Sequence, residues 1–333
     1  MIFLDLETRS DVDLIFHGLR RYAEDPSTEV ICMAYAFDEK PIQFWWSHEP
    51  FPKQVSDYFK TGVEVVTAHN AEFERHLFEY VICNDYDITP PKTEQWECSM
   101  TRAIASGYPA GLGDLAVAIG LPRQKNAQGA RLIKMYCGPG HAKTFAPGDA
   151  ELMREYCIGD VDVMRTAAAY LTPEHDMGGE YALNCKINDA GLPIDVELCE
   201  KALQYTDVMR EAASVELQDI TKGMPTPMTK HTQRKTRDAF LEARLTKAQS
   251  DTLKVVNKKG KETQSLDQDH RALLLEFEDL DPEVARMMHA INNGGSSALK
   301  KYAVAAHQHV DGRVHNTFQF YGAQTGRFSG RGL

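Results

Sequence analysis

The sequence predicts an α/β fold in which a mixed sheet is laid down first, covered by helices, and followed by a mainly helical second part. Two features carry this. Short segments before residue 68 alternate apolar and polar residues with the period of a strand, whereas from residue 72 onward apolar residues recur at helical spacing. Strands first and helices after them is the order of an α/β layer design. With 333 residues, 43% hydrophobic and 26% charged, the chain can hold one large or two ordinary domains.

In Ile2-Phe3-Leu4-Asp5-Leu6-Glu7, alternate side chains share a face, so Ile2, Leu4 and Leu6 fill one side of a strand while Asp5 and Glu7 meet on the other. Val30 to Phe37 and Ile42 to Trp46 predict a hairpin around Asp38-Glu39-Lys40-Pro41, and Val63 to Thr67 a fourth strand. From Glu72 to Cys83 the spacing of Phe73, Leu77, Tyr80 and Val81 is helical; further helices are expected at 97–106, 112–120, 128–136 and 149–170. Gly111-Leu112-Gly113-Asp114 fits a dinucleotide-binding pattern on paper, but no apolar strand precedes it, and it is better explained as a helix start. Leu171-Thr172-Pro173 and Gly178-Gly179 mark a domain boundary, dividing the chain into 1–172 and 173–333. Helices follow at 174–190, 195–221, 236–259, 267–278, 281–292 and 296–309, and strand-like alternation returns at Val314 to Tyr321.

No segment approaches the roughly 18 apolar residues of a membrane span, and the N-terminus has no leader pattern, so a cytoplasmic chain is expected. Seven scattered cysteines, none in a C-x-x-C pair, are expected to be reduced core residues; His307 with His309, and Cys137 with His141, are ligand pairs too small for a zinc site. The net charge of −11 is unevenly spread. Residues 1–170 carry 16 basic against 25 acidic side chains, whereas 222–261 carry 11 against 3. An acidic half can hold cations, and a basic segment can meet phosphates or be a solvated helical face.

Three acidic stations carry the chemistry. Asp5 and Glu7 alone suit a divalent cation, although an edge strand with solvent-facing acids is the commoner arrangement. His69-Asn70-Ala71-Glu72-Phe73-Glu74 lies at a strand-to-helix junction. Residues two apart on a helix diverge by more than a right angle, so Glu72 and Glu74 cannot both face one site; the other would complement the helix dipole. Tyr156 and Asp160, four apart in the long helix, share a face, while Asp149 and Asp162 fall on others and are expected to be solvated.

Together the stations resemble the 3′-5′ exonucleases of the DEDD superfamily, in the branch with a tyrosine four residues before the last acid. Asp5 and Glu7 match its D-x-E, Asn70, Phe73 and Glu74 its second motif, and Tyr156 and Asp160 its Y-x-x-x-D. The family has Asp where this chain has Glu74, a stem longer by one methylene that shifts the oxygen by about 1.5 Å; activity is expected to survive. The resemblance implies a ribonuclease H-like fold and two Mg²⁺ or Mn²⁺ ions. Asp5 would bridge them, Glu7 and Asp160 would complete the nucleophile-side ion, and Glu74 would serve the outer shell or the second ion. Tyr156 would orient the attacking water and Asn70 contact the terminal nucleotide.

The likeness continues beyond the boundary. Tyr181, Leu183, Asn184, Ile187, Asn188, Asp189, Gly191, Pro193, Ile194 and Asp195 resemble the entry to the thumb of family A, polymerase I-like DNA polymerases of the phage type. Thr325-Gly326-Arg327-Phe328-Ser329 resembles that family's T-G-R-[LF]-S, which implies phosphate contacts by Thr325, Arg327 and Ser329. The basic segment then becomes a thumb tip gripping duplex DNA. The palm motifs do not follow, and His175-Asp176 is a decoy for one of them. The expectation is therefore a proofreading-type DNA exonuclease with a thumb, the N-terminal part of a longer polymerase whose palm and fingers lie in a longer chain or a separate product. Two alternatives stay open: a DNA-binding polymerase fragment with an impaired nuclease site, and a free-standing RNA-trimming exonuclease.

Overall fold

The structure is a computed structural model whose described residues are 1–62, 64–121, 128–171, 180–256, 260–295, 299–323 and 325–332. Val63, the punctuation at Thr172-Pro173 and Gly178-Gly179, the His175-Asp176 decoy, and Lys258 and Lys259 lie outside them.

A five-stranded sheet organises the first part, in the order β3-β2-β1-β4-β5. Strand β1 (Ile2–Arg9) is central, antiparallel to β2 (Glu29–Phe37) and parallel to β4 (Val66–Ala68); β3 (Gln43–Trp46) and β5 (Trp96–Cys98) close the two sides. The alternation read from sequence is obeyed on both faces of β1. Ile2, Leu4 and Leu6 enter a core with Tyr22, Phe59 and Phe78. Phe3 enters the opposite core, under Met153, Tyr156, Cys157 and Val161. Apolar residues on each face exclude water from the strand's hydrogen bonds, and β1 is not the edge strand that its two acids also allowed.

Helices cover the sheet. Between β1 and β2 runs α1 (Leu14–Glu24), opened by Asp13, whose carboxylate accepts from the amides of Ile15 and Phe16, and kinked at Gly18 (φ 80°). Next come α2 (Lys53–Lys60) and α3 (Glu72–Leu77), the latter passing through a π turn at Phe78–Ile82 into α4 (Cys83–Tyr86). They are followed by α5 (Ser99–Ala105), α6 (Leu112–Ala118), α7 (Gly129–Tyr136) and α8 (Asp149–Ala167). Gly111 sits just ahead of α6, at a helix start. The sequence reading missed α1, α2 and β5. Gly18 breaks the period of α1, α2 buries only Val55 and Phe59, and the three residues of β5 are extended because β4 pairs with them. The helix expected from residue 97 therefore starts at Ser99.

Beyond α8 lie α9 (Glu180–Ala190) and β6 (Leu192–Pro193), then α10 (Val196–Ile220), α11 (Arg234–Glu242), α12 (Lys247–Asp251), β7 (Lys254–Val256), β8 (Glu262–Gln264), α13 (Gln268–Leu275), α14 (Pro282–Gly294) and α15 (Leu299–Gln308). The chain ends in β9 (Arg313–Val314), β10 (Phe318–Gln319) and β11 (Ser329–Gly330). The helix expected over 236–259 is instead two short helices and a strand: Lys254–Val256 pairs antiparallel with Glu262–Gln264. Likewise the alternation at 314–321 is broken by a turn in which Asn316 takes a left-handed φ of 56°.

Two compact units emerge, and they divide the chain elsewhere than at residue 172. One contains Met1–Asp195 with His307–Leu333, and the other Val196–Ala306. The second has its own core, in which Leu217 and Ile220 of α10 meet Val284, Met287, Met288 and Ile291 of α14. Its basic residues are partly neutralised: Arg244 pairs with Glu283, Lys222 with Asp219, and Lys254 with both Asp251 and Glu262.

In the first unit a buried polar clasp draws in α9 and the C-terminal segment. Glu72 Oε1 accepts from the side-chain amides of Asn188 (2.5 Å) and Asn184 (3.4 Å), and Oε2 from that of Asn316 (3.4 Å). Asn188 also bonds both backbone groups of Phe318, while Arg75 grips Asp189 through two bonds. A Glu72→Ala change takes away an acceptor shared by three amides, those of Asn184 and Asn188 being buried, and is expected to lower stability by about 2–4 kcal/mol, read as a drop in the urea midpoint.

Candidate active site

The three stations converge on the sheet face under α8. Buried positions in α8 recur at 149, 153, 156, 157, 160, 161 and 164, a stripe that turns Tyr156 and Asp160 inward onto β1. Cys157 touches the site directly: its thiol reaches the carbonyl of Asp5 at 3.5 Å and the Asp5 carboxylate at 3.6 Å. All seven cysteines are buried, as expected of core residues. Their scatter does not reveal that Cys157, three residues before Asp160, shares the inward face.

The acids and Tyr156 feel one another's charge. The Tyr156 phenol is pushed far above its ordinary range, first by burial and then by the charges of Asp160, Glu7 and Asp5. Glu74, at the first turn of α3, is almost fully buried at 3% exposure; burial and the neighbouring Asp5 carboxylate push its pKa well up. Its Oε2 has no hydrogen-bond partner, the only such carboxylate oxygen among the described residues. An orphaned buried carboxylate oxygen is costly unless a cation completes it, so this donor set fits a hard divalent ion. Among the described residues no three His, Cys, Asp or Glu side chains stand together as a group that could hold a metal ion. Mg²⁺ does not need three, since it keeps several waters and takes one or two carboxylates together with substrate phosphate.

Glu72, the other acid of the second station, turns away into the asparagine clasp, as the divergence of residues two apart demands. Asn70 holds the corner between β4 and α3 in a left-handed conformation (φ 66°), with its carbonyl accepting from Phe73 N at 2.9 Å. It lines a cavity of about 350 Å³ together with Leu14, Glu72, His315 and Arg331. His69 is held from both ring nitrogens, by Ser99 Oγ (3.0 Å) and the Ala110 carbonyl (2.8 Å). His76, buried on the same helix, is pushed down to about 4 by burial and by Arg75 and is neutral at pH 7.

Beside Glu7 opens a cleft of about 620 Å³ walled by Leu6, Val12, Ile15, Tyr22, Phe73 and Ile133. Its walls are largely apolar, with Glu7, Asp13 and Lys134 as the charged groups that line it. Thr325, Arg327 and Ser329 are not part of this group. Thr325 and Arg327 are exposed, and Ser329 lies on β11, paired with Gln319 of β10.

Asp149 corrects one expectation: it is buried, not solvated. Arg131 donates to both of its oxygens (3.0 and 2.5 Å) and Tyr136 OH donates at 2.6 Å, tying α7 to the start of α8. These bonds hold the carboxyl down to about 2, from the usual 3.8. A carboxyl whose folded pKa is depressed stabilises fully above its unfolded value and loses that contribution as pH falls through the folded one. The difference in urea midpoint between the parent chain and Asp149→Asn is therefore expected to be complete at pH 5 and to shrink between about pH 4 and pH 2.

No protein-family model matches the chain. It is 29% identical over 346 residues to a DNA polymerase of Bacillus phage SP02, covering 98% of this chain and 49% of that protein. It also shares a fold with the POL domain of Pol1 from M. smegmatis, solved in complex with a DNA primer-template and dNTP, at a TM-score of 0.51 and 13% identity, over 99% of this chain and 50% of the other. The chain thus spans about half the length of the relatives it matches. The chain is thus similar in sequence to a phage DNA polymerase along nearly its whole length, and in fold to a polymerase I domain.

Proposed function

We propose that the first unit is a 3′-5′ exonuclease of ribonuclease H-like fold acting on DNA, and that the second is a thumb that grips duplex. The observation that carries this reading is the coupling of Asp5, Glu7, Glu74, Tyr156 and Asp160, drawn from three places in the sequence, at one sheet face beside a nucleotide-sized cleft. The strand order with an antiparallel β2-β3 hairpin and parallel β4 and β5 is in keeping with it.

Asp5, Glu7, Glu74 and Asp160 would hold divalent cations, which when bound supply the positive charge that offsets charge developing on the phosphate. Tyr156 acts as a donor. With its pKa raised it stays protonated at neutral pH, so it cannot take a proton from water but can fix the water's direction of attack. Asn70, exposed to the neighbouring cavity, would steady the terminal nucleotide, whose base the apolar cleft would receive. Thr325, Arg327 and Ser329, on the C-terminal hairpin, would meet backbone phosphates.

The test is to incubate the purified chain with 5′-labelled single-stranded DNA and Mg²⁺ or Mn²⁺. A ladder shortening from the 3′ end is expected, abolished by chelation and weaker on RNA of the same sequence. Salt-sensitive duplex binding with no shortening would instead select a DNA-binding fragment with an impaired nuclease site.

A further inference from the structure

Gly129, in the first turn of α7, stands unusually close to the Tyr156 ring. A Cβ built on Gly129 would lie 2.2 Å from Cε2 of Tyr156, 2.6 Å from Cδ2 and 2.9 Å from Cζ. The backbone of α7 therefore rests directly on the tyrosine ring, an approach open only to glycine.

Neither partner can easily give way. The Tyr156 ring is fixed within the core formed by Met153, Val161 and Leu132. Helix α7 is clasped to α8, the helix that carries Tyr156, through Arg131 and Tyr136 on Asp149, and Tyr136 OH in turn accepts from Ala146 N at 3.0 Å. The register of the two helices is thus fixed, with the ring held between them.

We infer that Gly129 is a positioning residue for Tyr156, setting where its hydroxyl points and so the rate of the hydrolysis; this rests on the exonuclease reading. The added methyl has no room unless the ring moves, so some stability is lost with the ring's position. The diagnostic is therefore a loss of activity that depends on the Tyr156 hydroxyl.

In the full chain, Gly129→Ala is expected to lower kcat on single-stranded DNA by at least about tenfold, with KM within about twofold, because a misplaced group costs chemistry more than binding. In a Tyr156→Phe background the same substitution should cost less than about twofold, since the hydroxyl it would misplace is already gone. Asp149→Asn, which loosens the clasp without adding an atom, should show a smaller loss that vanishes in the same background. A readout independent of activity comes from 3-fluorotyrosine labelling: the fluorine resonance assigned to Tyr156 by its absence in Tyr156→Phe should move in Gly129→Ala. A fully active Gly129→Ala, or an equal loss with and without the Tyr156 hydroxyl, overturns the positioning role while leaving the exonuclease reading intact. A parent chain that hydrolyses no DNA with either metal overturns both.

Discussion

Replacing Asp5 and Glu7 together by Ala is expected to abolish shortening of single-stranded DNA, a loss on the order of 10⁴-fold or about 5 kcal/mol of barrier. Both side chains leave the central strand toward the same face, and the Tyr156 phenol feels the charge of each. Glu151→Ala, on the solvent side of α8, is the matched control and should leave the rate unchanged. Cleavage that persists in the double variant would show that the activity belongs to another site.

Glu74→Gln is expected to separate stability from activity. In the parent chain, burial and Asp5 oppose ionisation of Glu74, and its Oε2 has no partner, so without a cation this side chain costs stability. Replacing the acid by an amide of nearly the same shape, which cannot ionise, should raise stability in the presence of chelator by about 1–3 kcal/mol. The same change should lower the rate of DNA shortening by about 10²-fold, because the proposed cation loses a carboxylate. Metal response decides between an active-site carboxylate and an ill-placed one: Mn²⁺ should raise the melting temperature of the parent chain and do so far less in Glu74→Gln. Equal shifts in the two proteins would remove Glu74 from the cation site.

Much of this was legible in one dimension. The alternation of Ile2 to Glu7 is a local property of extended backbone, and it places Asp5 and Glu7 together whatever surrounds them. The four-residue spacing of Tyr156 and Asp160 is equally local, and helix geometry alone decides that Glu72 and Glu74 part company. What the spacing could not say is which of the two turns inward. Three asparagines settle that, and Asn184, Asn188 and Asn316 lie more than a hundred residues further along. The elements that escaped are those with weak local signals: β5 is extended because a neighbour pairs with it, and Lys254–Val256 leaves a helical pattern to form a hairpin.

The sequence by itself determined the class of the fold, the strand that carries the first two acids and the helix face that carries the last, because each depends on periodicities of two and of about 3.6 residues. Only the tertiary structure decided that β1 is a central strand and not an edge, that Cys157 contacts Asp5, that Asp149 is a clasp and not a surface charge, and that Gly129 lies against Tyr156. Each of those facts concerns groups brought together by packing across long stretches of chain, and no local spacing encodes which distant surface a side chain will meet.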